Sequence, residues 1–429
     1  MSARAGVVVT GTEVLTGRVT DRNGPWLAEQ LRRHGVDIGQ VVVVGDRPDD
    51  LAAALRFLQN AGVDLIITSG GLGPTADDLT AEVVAEVLAR PLELDPALHA
   101  RIGDIIERLN RARGRQTEPS AAAGTRKQAM VPQGAAVLEP VGTAPGLVVP
   151  AAAGVAGAPV VVLPGPPYEL QAMWPAALAQ PMVQQALAGR EELRQHTLRL
   201  WGTSESELAG LMREQAEKLA GLEITTCLRD GELEVVSRFH PVAQQRYDDF
   251  AAMIVSTYGD AVFSVDGGTL EEIVGRLLTE QGLTIGTAES CTAGLLAARL
   301  ADVPGSSSYL QGGVVSYANE VKHSLLDVPV GLLETVGAVS AEVAEAMARG
   351  VIARLGTDLG VGITGIAGPG GACPGKPVGL VELCVLGRGS RLARRVQLPG
   401  DRADVRRRSV AVALHLIWRL LTEAERSPS

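Results

Sequence analysis

The spacing of apolar and polar residues divides the chain into three stretches. From residue 1 to about 170, short β-branched runs alternate with longer helical patterns: AGVVVT, a helix around WLAEQLRRHG, IGQVVVVG, a helix around LAAALRFLQNAG, then DLIITSGG. Strands alternating with helices predict a doubly wound, mostly parallel sheet covered on both faces, with ligands where strands run out into glycine turns. From 171 to 265 the pattern is smaller and mixed, with a helix near ESELAGLMREQAEKL and strands near LEITTCLRD and ELEVVSRF, which predicts a compact α+β module. An Asp266-Gly267-Gly268 turn marks the next boundary, and residues 266–429 return to α/β logic. There the strand LTIGTAE, helix LLAARLAD, strand GGVVSYA, a helix around SAEVAEAMARGVIARLG, strands LGVGITG and VGLVELCVLG, and a long closing helix follow in order. Val410, Leu414, Ile417 and Leu421 recur at helical spacing in that last helix and predict a stripe facing a core.

Length and composition agree with this division. At 429 residues the chain exceeds what one hydrophobic core organises, and 46% apolar against 21% charged residues, with 50 glycines, fits α/β domains rich in tight turns. A net charge of −10 and only 3% aromatic residues argue against nucleic acid, which demands a basic surface and stacking platforms. The four cysteines, Cys227, Cys291, Cys373 and Cys384, show neither C-x-x-C spacing nor matching histidines, so neither a zinc site nor a disulfide framework is expected. The start MSARAGVVVTGTE lacks the features of a signal peptide, and the most apolar stretch, GLVVPAAAGVAGAPVVVLPGPP, is broken by Pro150, Pro159 and Pro164. That stretch reads as short buried strands, and the expectation is a cytoplasmic protein without membrane partners.

Three segments carry candidate chemistry. After DLIITSGG comes LGPTADDLT, where Asp77 and Asp78 lie beside a glycine loop and can hold a divalent cation; the alternative is a capping box, because Thr75 and Asp78 have the T-x-x-D spacing. Glu13, Asp21 and Asn23 follow the first strand, where a site is also expected. The segment GPGGACPGKP places Gly370, Gly375 and Lys376 almost as a phosphate-binding P-loop, but Pro377 stands where a serine or threonine must hold magnesium, and a strand follows instead of a helix.

Ser290, in GTAESCTAGLLAARL, and Lys322, thirty-two residues on in GGVVSYANEVK, form the third candidate. A serine hydroxyl is a poor nucleophile near neutral pH unless a base takes its proton, and a desolvated lysine can be that base; the pairing suggests hydrolysis of an amide or ester. A helix begins after this strand, so its first N–H groups are free for a phosphate or an oxyanion; on position alone, Ser290 reads more readily as the N-cap of that helix. Cys291 is a competing nucleophile with His323 as its activator, and Lys322 has the alternative of a solvated surface residue. Arg402, Arg406, Arg407 and Arg408 form either a phosphate clamp or an ordinary solvated helix face.

In their order and density, the strings GTEVLTGRVTDRN, TSGGLGPTADDLT, VGTAPGL and LPGPPYEL resemble the N-terminal, molybdopterin-binding-like domain of the competence/damage-inducible protein A (CinA) family. AESCTAGLLAARLADVPGSSSYLQGGVVSYANEVK, GAVSAEVAEAMA, GITGIAGPGG, KPVGLVEL and GDRADVR resemble its C-terminal amidase domain. The resemblance implies a molybdopterin-binding-like nucleotide domain over 1–170, a connecting module over 171–265 and a nicotinamide-nucleotide amidase domain over 266–429. It further implies conversion of nicotinamide mononucleotide and water to nicotinate mononucleotide and ammonia, in pyridine nucleotide salvage, without a cofactor. Ser290 is then the nucleophile and Lys322 its base, a buried amine with a lowered pKa, with Tyr317 nearby. Thr292, Gly294, Thr364, Gly365 and Gly368 line the substrate site, and Arg402 meets the phosphate.

In some relatives the N-terminal domain hydrolyses ADP-ribose with a divalent metal. That activity implies a nucleotide site at Glu13, Gly17, Asp21, Asn23, Gly70, Gly71 and Gly73, with Asp77 and Asp78 as metal ligands. Glu139, Arg22 and the run Ala372-Cys373-Pro374 depart from the family pattern. The expected partners are small nucleotides and a second copy of the chain in a homodimer. A non-enzymatic competence or DNA-damage accessory role is the alternative that the family name invites, and the acidic charge argues against direct DNA binding.

Overall fold

Hydrophobic alternation along the strands builds two α/β sheets, each with helices on both faces. The computed structural model describes residues 2–112, 114, 121–154 and 157–426. Two compact units divide the chain, Met1–Arg194 and Gln195–Ser429.

In the first unit, the strands Arg4–Thr10, Asp37–Val44, Leu65–Ser69 and Val160–Leu163 pair in parallel, and Gly146–Val149 and Ala136–Leu138 add antiparallel neighbours. Val7 and Val9 point to a core with Leu27, Leu31 and Trp174, while Val8 points to one with Leu51, Leu55 and Val84. Period-two alternation in one strand thus serves two helical layers, as expected for a doubly wound sheet. The proline-broken apolar stretch contributes the strands Gly146–Val149 and Val160–Leu163, although its residues 155 and 156 lie outside the described residues. Helix Pro167–Leu178 buries Leu170, Met173 and Trp174 in the same core, so the first unit continues past residue 170 to Arg194.

The second unit holds two sheets. Four strands form one sheet, in which Leu222–Arg229 pairs antiparallel with Glu232–Phe239 and Val262–Ser264 antiparallel with Arg194–Trp201, and the module has its own core around Leu198, Val235, Phe239 and Phe250. The helix predicted to run to residue 219 stops at Glu214.

The other sheet has the order Leu310–Val315, Ile285–Glu289, Leu359–Gly365, Leu380–Gly387, Ser390–Gln397, parallel across its first three strands and antiparallel beyond. Leu359, Val361 and Ile363 face the closing helix Arg402–Arg426 with Val410, Leu414, Ile417 and Leu421, the stripe predicted from spacing. The intervening Gly362 faces helix Ala341–Leu355 so closely that a Cβ there would lie 1.9 Å from the Ala344 carbonyl oxygen. Among the described residues, no helix is long and apolar enough to cross a membrane.

Candidate functional site

The strand Ile285–Glu289 ends at the edge of a tight turn, and the following helix begins only at Leu295, with Gly294 as its N-cap in the left-handed conformation (φ 92°). Ser290 is therefore not a helix cap. Its N–H donates to the Ile363 carbonyl, and its carbonyl accepts from the Ala293 N–H at 3.1 Å, so the turn is closed on its own backbone.

Lys322 sits on a short helix, Asn319–Leu326, and is 1% exposed. Its Nζ lies 3.2 Å from Ser290 Oγ, and donates to the carbonyl oxygens of Ser316 at 2.8 Å and Tyr317 at 3.3 Å. Desolvation pushes the Lys322 pKa below its ordinary value, against smaller opposing effects from Cys291 and Glu320. The opposing effect of Cys291 would need a thiolate. Burial pushes that thiol up to about 12, so near neutral pH it carries no charge. The lysine is a buried amine rather than a solvated one. Two carbonyls engage two of its N–H bonds, leaving the lone pair of the neutral form for the serine hydroxyl.

The competing cysteine reading does not survive this geometry. Cys291 is 5% exposed with its pKa raised, and the Nδ1 of His323 is engaged with the Val328 carbonyl at 3.0 Å. A thiol activated for attack needs the opposite shift.

Glu289 was not singled out from the sequence, where it reads as the polar end of a strand. It is fully buried, and its carboxylate accepts from the N–H groups of Gly294 at 3.0 Å, Leu296 at 3.1 Å and Ala297 at 2.9 Å. The N–H groups that the sequence offered to a phosphate or oxyanion are thus taken by this side chain. Thr292 Oγ1 and Ser316 Oγ are buried without a hydrogen-bond partner.

The arginine cluster splits. Arg402 donates Nη1 to the Gly368 carbonyl at 2.7 Å and Nη2 to Tyr317 Oη at 2.5 Å, which brings Arg402, Tyr317 and Gly368 together. The Tyr317 side chain is exposed and meets this arginine, while its carbonyl meets the lysine. Arg406 donates Nε to the Cys291 carbonyl at 3.1 Å and Nη2 to the Thr292 carbonyl at 2.9 Å. Arg407 pairs with Asp230 and Asp404, and Arg408 meets the Pro399 carbonyl and lies 3.8 Å from Asp230. A four-arginine phosphate clamp is therefore not formed.

Thr364 is buried at the end of its strand and donates to the Ala338 carbonyl at 2.8 Å. A Cβ on Gly365 would lie 2.8 Å from the Leu380 carbonyl oxygen, so glycine is needed there. In the P-loop-like segment, Lys376 Nζ donates to the Val336 carbonyl at 2.5 Å and the strand Leu380–Gly387 follows, as the sequence indicated.

In the first unit, a cleft of about 320 Å³ is lined by Glu13, Gly70, Gly71, Gly73, Asp77 and Asp78, together with Asp46 and Glu169. The positive φ of Gly70 (108°) and Gly71 (66°) turns the chain at the end of its strand, and a Cβ on Gly71 would lie 2.1 Å from Thr80 Oγ1. Gly17, Asp21 and Asn23 are not among the lining residues. Asp21 Oδ1 accepts from the N–H groups of Asn23 at 2.9 Å and Gly24 at 3.0 Å, while Asn23 Nδ2 donates to Ser69 Oγ and the Gly165 carbonyl. These two residues fasten the start of helix Asn23–Arg33 to the strand end and the loop behind the cleft. Gly17, in a left-handed turn (φ 73°), has open space around it.

Asp78 accepts from the Thr75 N–H at 2.9 Å and, with Asp77, shares the Thr75 hydroxyl. Only the Thr75 N–H bond to Asp78 belongs to the capping reading: the Thr75 hydroxyl donates to the carboxylates, the Asp78 N–H goes to the Thr75 carbonyl, and the helix begins only at Thr80, so these bonds close a loop rather than cap a helix. The Thr75 hydroxyl, ahead of smaller contributions including Lys127, holds the Asp77 carboxyl below its usual range. Carboxylate oxygens suit a hard divalent cation, yet among the described residues no three His, Cys, Asp or Glu side chains are grouped to hold one. Of the departures from the family pattern, Glu139 forms an exposed ion pair with Arg101, Arg22 is exposed, and Cys373 pairs through its backbone with Lys376 in an exposed loop.

Residues 6–185 match the family described as "Probable molybdopterin binding domain", and residues 268–421 match the CinA C-terminal domain. The chain is 56% identical over 428 residues to a CinA-like protein of Mycolicibacterium gilvum, covering 98% of this chain and 99% of that one. It is 52% identical over 437 residues to a CinA-like protein of Mycobacterium tuberculosis strain H37Rv, covering the whole of both. The crystal structure of the competence/damage inducible protein CihA from Agrobacterium tumefaciens is 39% identical over 37% of this chain and 99% of that one, with a TM-score of 0.35.

Proposed function

The chain belongs to the CinA family, and from that premise we propose that its C-terminal domain hydrolyses the carboxamide of nicotinamide mononucleotide. The observation that carries this reading is the buried Lys322 amine facing Ser290 Oγ at 3.2 Å. Ser290 Oγ attacks the carboxamide carbon while Lys322 Nζ takes the hydroxyl proton. The carbonyl oxygen becomes an oxyanion, and as the tetrahedral intermediate collapses the lysine returns the proton to the departing nitrogen, which leaves as ammonia. Water then attacks the acyl-enzyme as Lys322 accepts its proton, and Lys322 returns that proton to Ser290 Oγ as the acyl–oxygen bond breaks, giving nicotinate mononucleotide and the free serine. The substrate phosphate is assigned to Arg402, whose guanidinium is oriented by Tyr317 and Gly368. Incubation with nicotinamide mononucleotide and quantification of ammonia and nicotinate mononucleotide tests the reading: equimolar products support it, and no ammonia rejects it.

The cleft of the first unit supports a second reading, ADP-ribose pyrophosphatase activity with a divalent metal, because glycine turns and the carboxylates of Glu13, Asp46, Asp77 and Asp78 line it where strands end. ADP-ribose hydrolysis that disappears with a chelator or with Asp77→Asn/Asp78→Asn, while ammonia release persists, supports it. Hydrolysis unaffected by either rejects it.

A further inference from the structure

Two charged side chains outside the dyad hold the turn that presents Ser290. Glu289, with no exposed surface, accepts three N–H groups from the turn and the first residues of the helix beyond it. Arg406 donates to two carbonyls of the same turn, those of Cys291 and Thr292. Burial is what chiefly raises the Cys291 pKa, and both charges also reach its thiol, Glu289 raising the pKa and Arg406 lowering it. Arg406 meets the Cys291–Thr292 and Thr292–Ala293 peptides and Glu289 the next one, Ala293–Gly294, so the two charges hold consecutive peptides of the turn, and the three N–H bonds to Glu289 offset the cost of burying its carboxylate.

The connectivity of those peptides leads to the reacting centre. The Thr292 carbonyl, which accepts from Arg406 at 2.9 Å, belongs to the same peptide group as the Ala293 N–H. That N–H donates to the Ser290 carbonyl at 3.1 Å, and the Ser290 carbonyl shares its peptide group with the Cys291 N–H. A hydrogen bond accepted by a carbonyl polarises its peptide and makes the attached N–H a better donor, and successive bonds reinforce one another. The chain ends one residue after the nucleophile, where acyl-transfer sites commonly place an oxyanion donor.

We propose that Arg406 is a positioning residue that fixes the Ser290 turn and polarises, through the Thr292, Ala293 and Ser290 peptide groups, the Cys291 N–H that receives the developing oxyanion, with Glu289 anchoring the turn's other end. This rests on Ser290 being the nucleophile of an amidase. The phosphate is met by Arg402 and not by Arg406, although the two arginines lie four residues apart on one helix face.

An alkyl fluorophosphonate separates this role from the identity of the substrate. Ser290 Oγ attacks phosphorus, the O–P bond forms, the P–F bond breaks with release of fluoride, and the hydroxyl proton passes to Lys322. The phosphoryl oxygen then occupies the oxyanion position. Wild-type protein is labelled at Ser290, and Arg406→Ala is labelled about 10-fold more slowly, less than the loss from deleting an oxyanion donor outright. Guanidinium at millimolar concentration restores the rate in Arg406→Ala, which a general loss of folding does not permit.

Arg406→Lys, which keeps the charge but not the two-pronged geometry, falls between the two and decides the matter should the alanine variant not fold. With nicotinamide mononucleotide the same order appears in kcat, with KM within about 2-fold, since Arg406 lies outside the assigned phosphate contacts. Labelling of Arg406→Ala or Arg406→Lys at the wild-type rate, slow labelling of folded Arg406→Ala without guanidinium rescue, or absence of Ser290 labelling in the wild type overturns the proposal. The labelling pattern without ammonia release from nicotinamide mononucleotide refutes the substrate assignment and leaves the positioning role standing.

Discussion

The Nζ of Lys322 lies 3.2 Å from Ser290 Oγ and is held by the carbonyl oxygens of Ser316 and Tyr317, so both protonation states of the amine are satisfied in one geometry. As an ammonium it donates all three hydrogens. As a neutral amine it donates two to the carbonyls and accepts the serine proton. The proposed mechanism asks one residue to serve as base and then as acid, and this geometry accommodates both without rearrangement.

The pH dependence of amide hydrolysis follows from that amine. Because desolvation lowers its pKa, the neutral form accumulates at lower pH than for a free lysine, and the rate rises with pH to a plateau. The midpoint of kcat/KM against pH falls below the ordinary lysine value of 10.5. A rate that is flat, or that falls as pH rises through the neutral range, contradicts Lys322 as the base.

Stability carries the same signature. A lysine whose folded pKa is depressed binds fewer protons folded than unfolded between its folded pKa and 10.5, so it contributes a rise in stability with pH across that window. Below the window the buried charge costs stability in full. Lys322→Met fills a similar volume without the charge, so chemical denaturation at a series of pH values finds the variant's advantage greatest at low pH and shrinking as pH rises. A constant difference between the two proteins contradicts a depressed pKa.

Alkylation distinguishes the four cysteines. Burial pushes Cys291 up to about 12 and Cys384 up to about 11, whereas Cys227 and Cys373 are exposed. Iodoacetamide at mildly alkaline pH reacts through the thiolate. Peptide mapping of the native protein finds Cys227 and Cys373 modified and Cys291 and Cys384 intact. Modification of Cys291 in step with loss of activity would revive the cysteine as nucleophile.

Tyr317→Phe removes the hydroxyl that accepts from Arg402 but leaves the Gly368 carbonyl contact in place. A hydrogen bond to a charged group contributes about 1.5 kcal/mol at the weak end of its range, where an exposed tyrosine belongs, so KM for nicotinamide mononucleotide rises by roughly 10-fold while kcat changes little. The split between the two constants is the readout. Collapse of kcat at unchanged KM assigns the hydroxyl to proton transfer instead.

Much of this site is legible in the sequence, and the omissions have physical causes. Strand ends and glycine turns mark where Ser290 and the Gly70–Gly73 loop lie, because backbone geometry at those points is set by short-range sterics. The helix of Lys322 is hidden, since eight residues directly after a strand carry too little periodicity to separate from it. Glu289 is hidden for another reason: a buried carboxylate at a strand end looks polar until its three N–H donors, up to eight residues later, are folded around it. The arginines held a usable signal. Arg402 and Arg406, four apart, share a helix face, whereas Arg407 and Arg408 rotate toward Asp230 in the neighbouring hairpin, a long-range pairing that local sequence does not reveal. Asp21 and the Nδ2 of Asn23 show the converse, polar groups in a site-like position that spend hydrogen bonds on the fold.

The most direct test of the central claim is the rate of ammonia release from nicotinamide mononucleotide by the wild type, Ser290→Ala and Lys322→Ala, with folding of each checked by thermal melting. The account predicts release by the wild type and a loss of about 10³-fold or more in each variant, because nucleophile and base act as a unit. Wild-type release accompanied by full activity in either folded variant would contradict it.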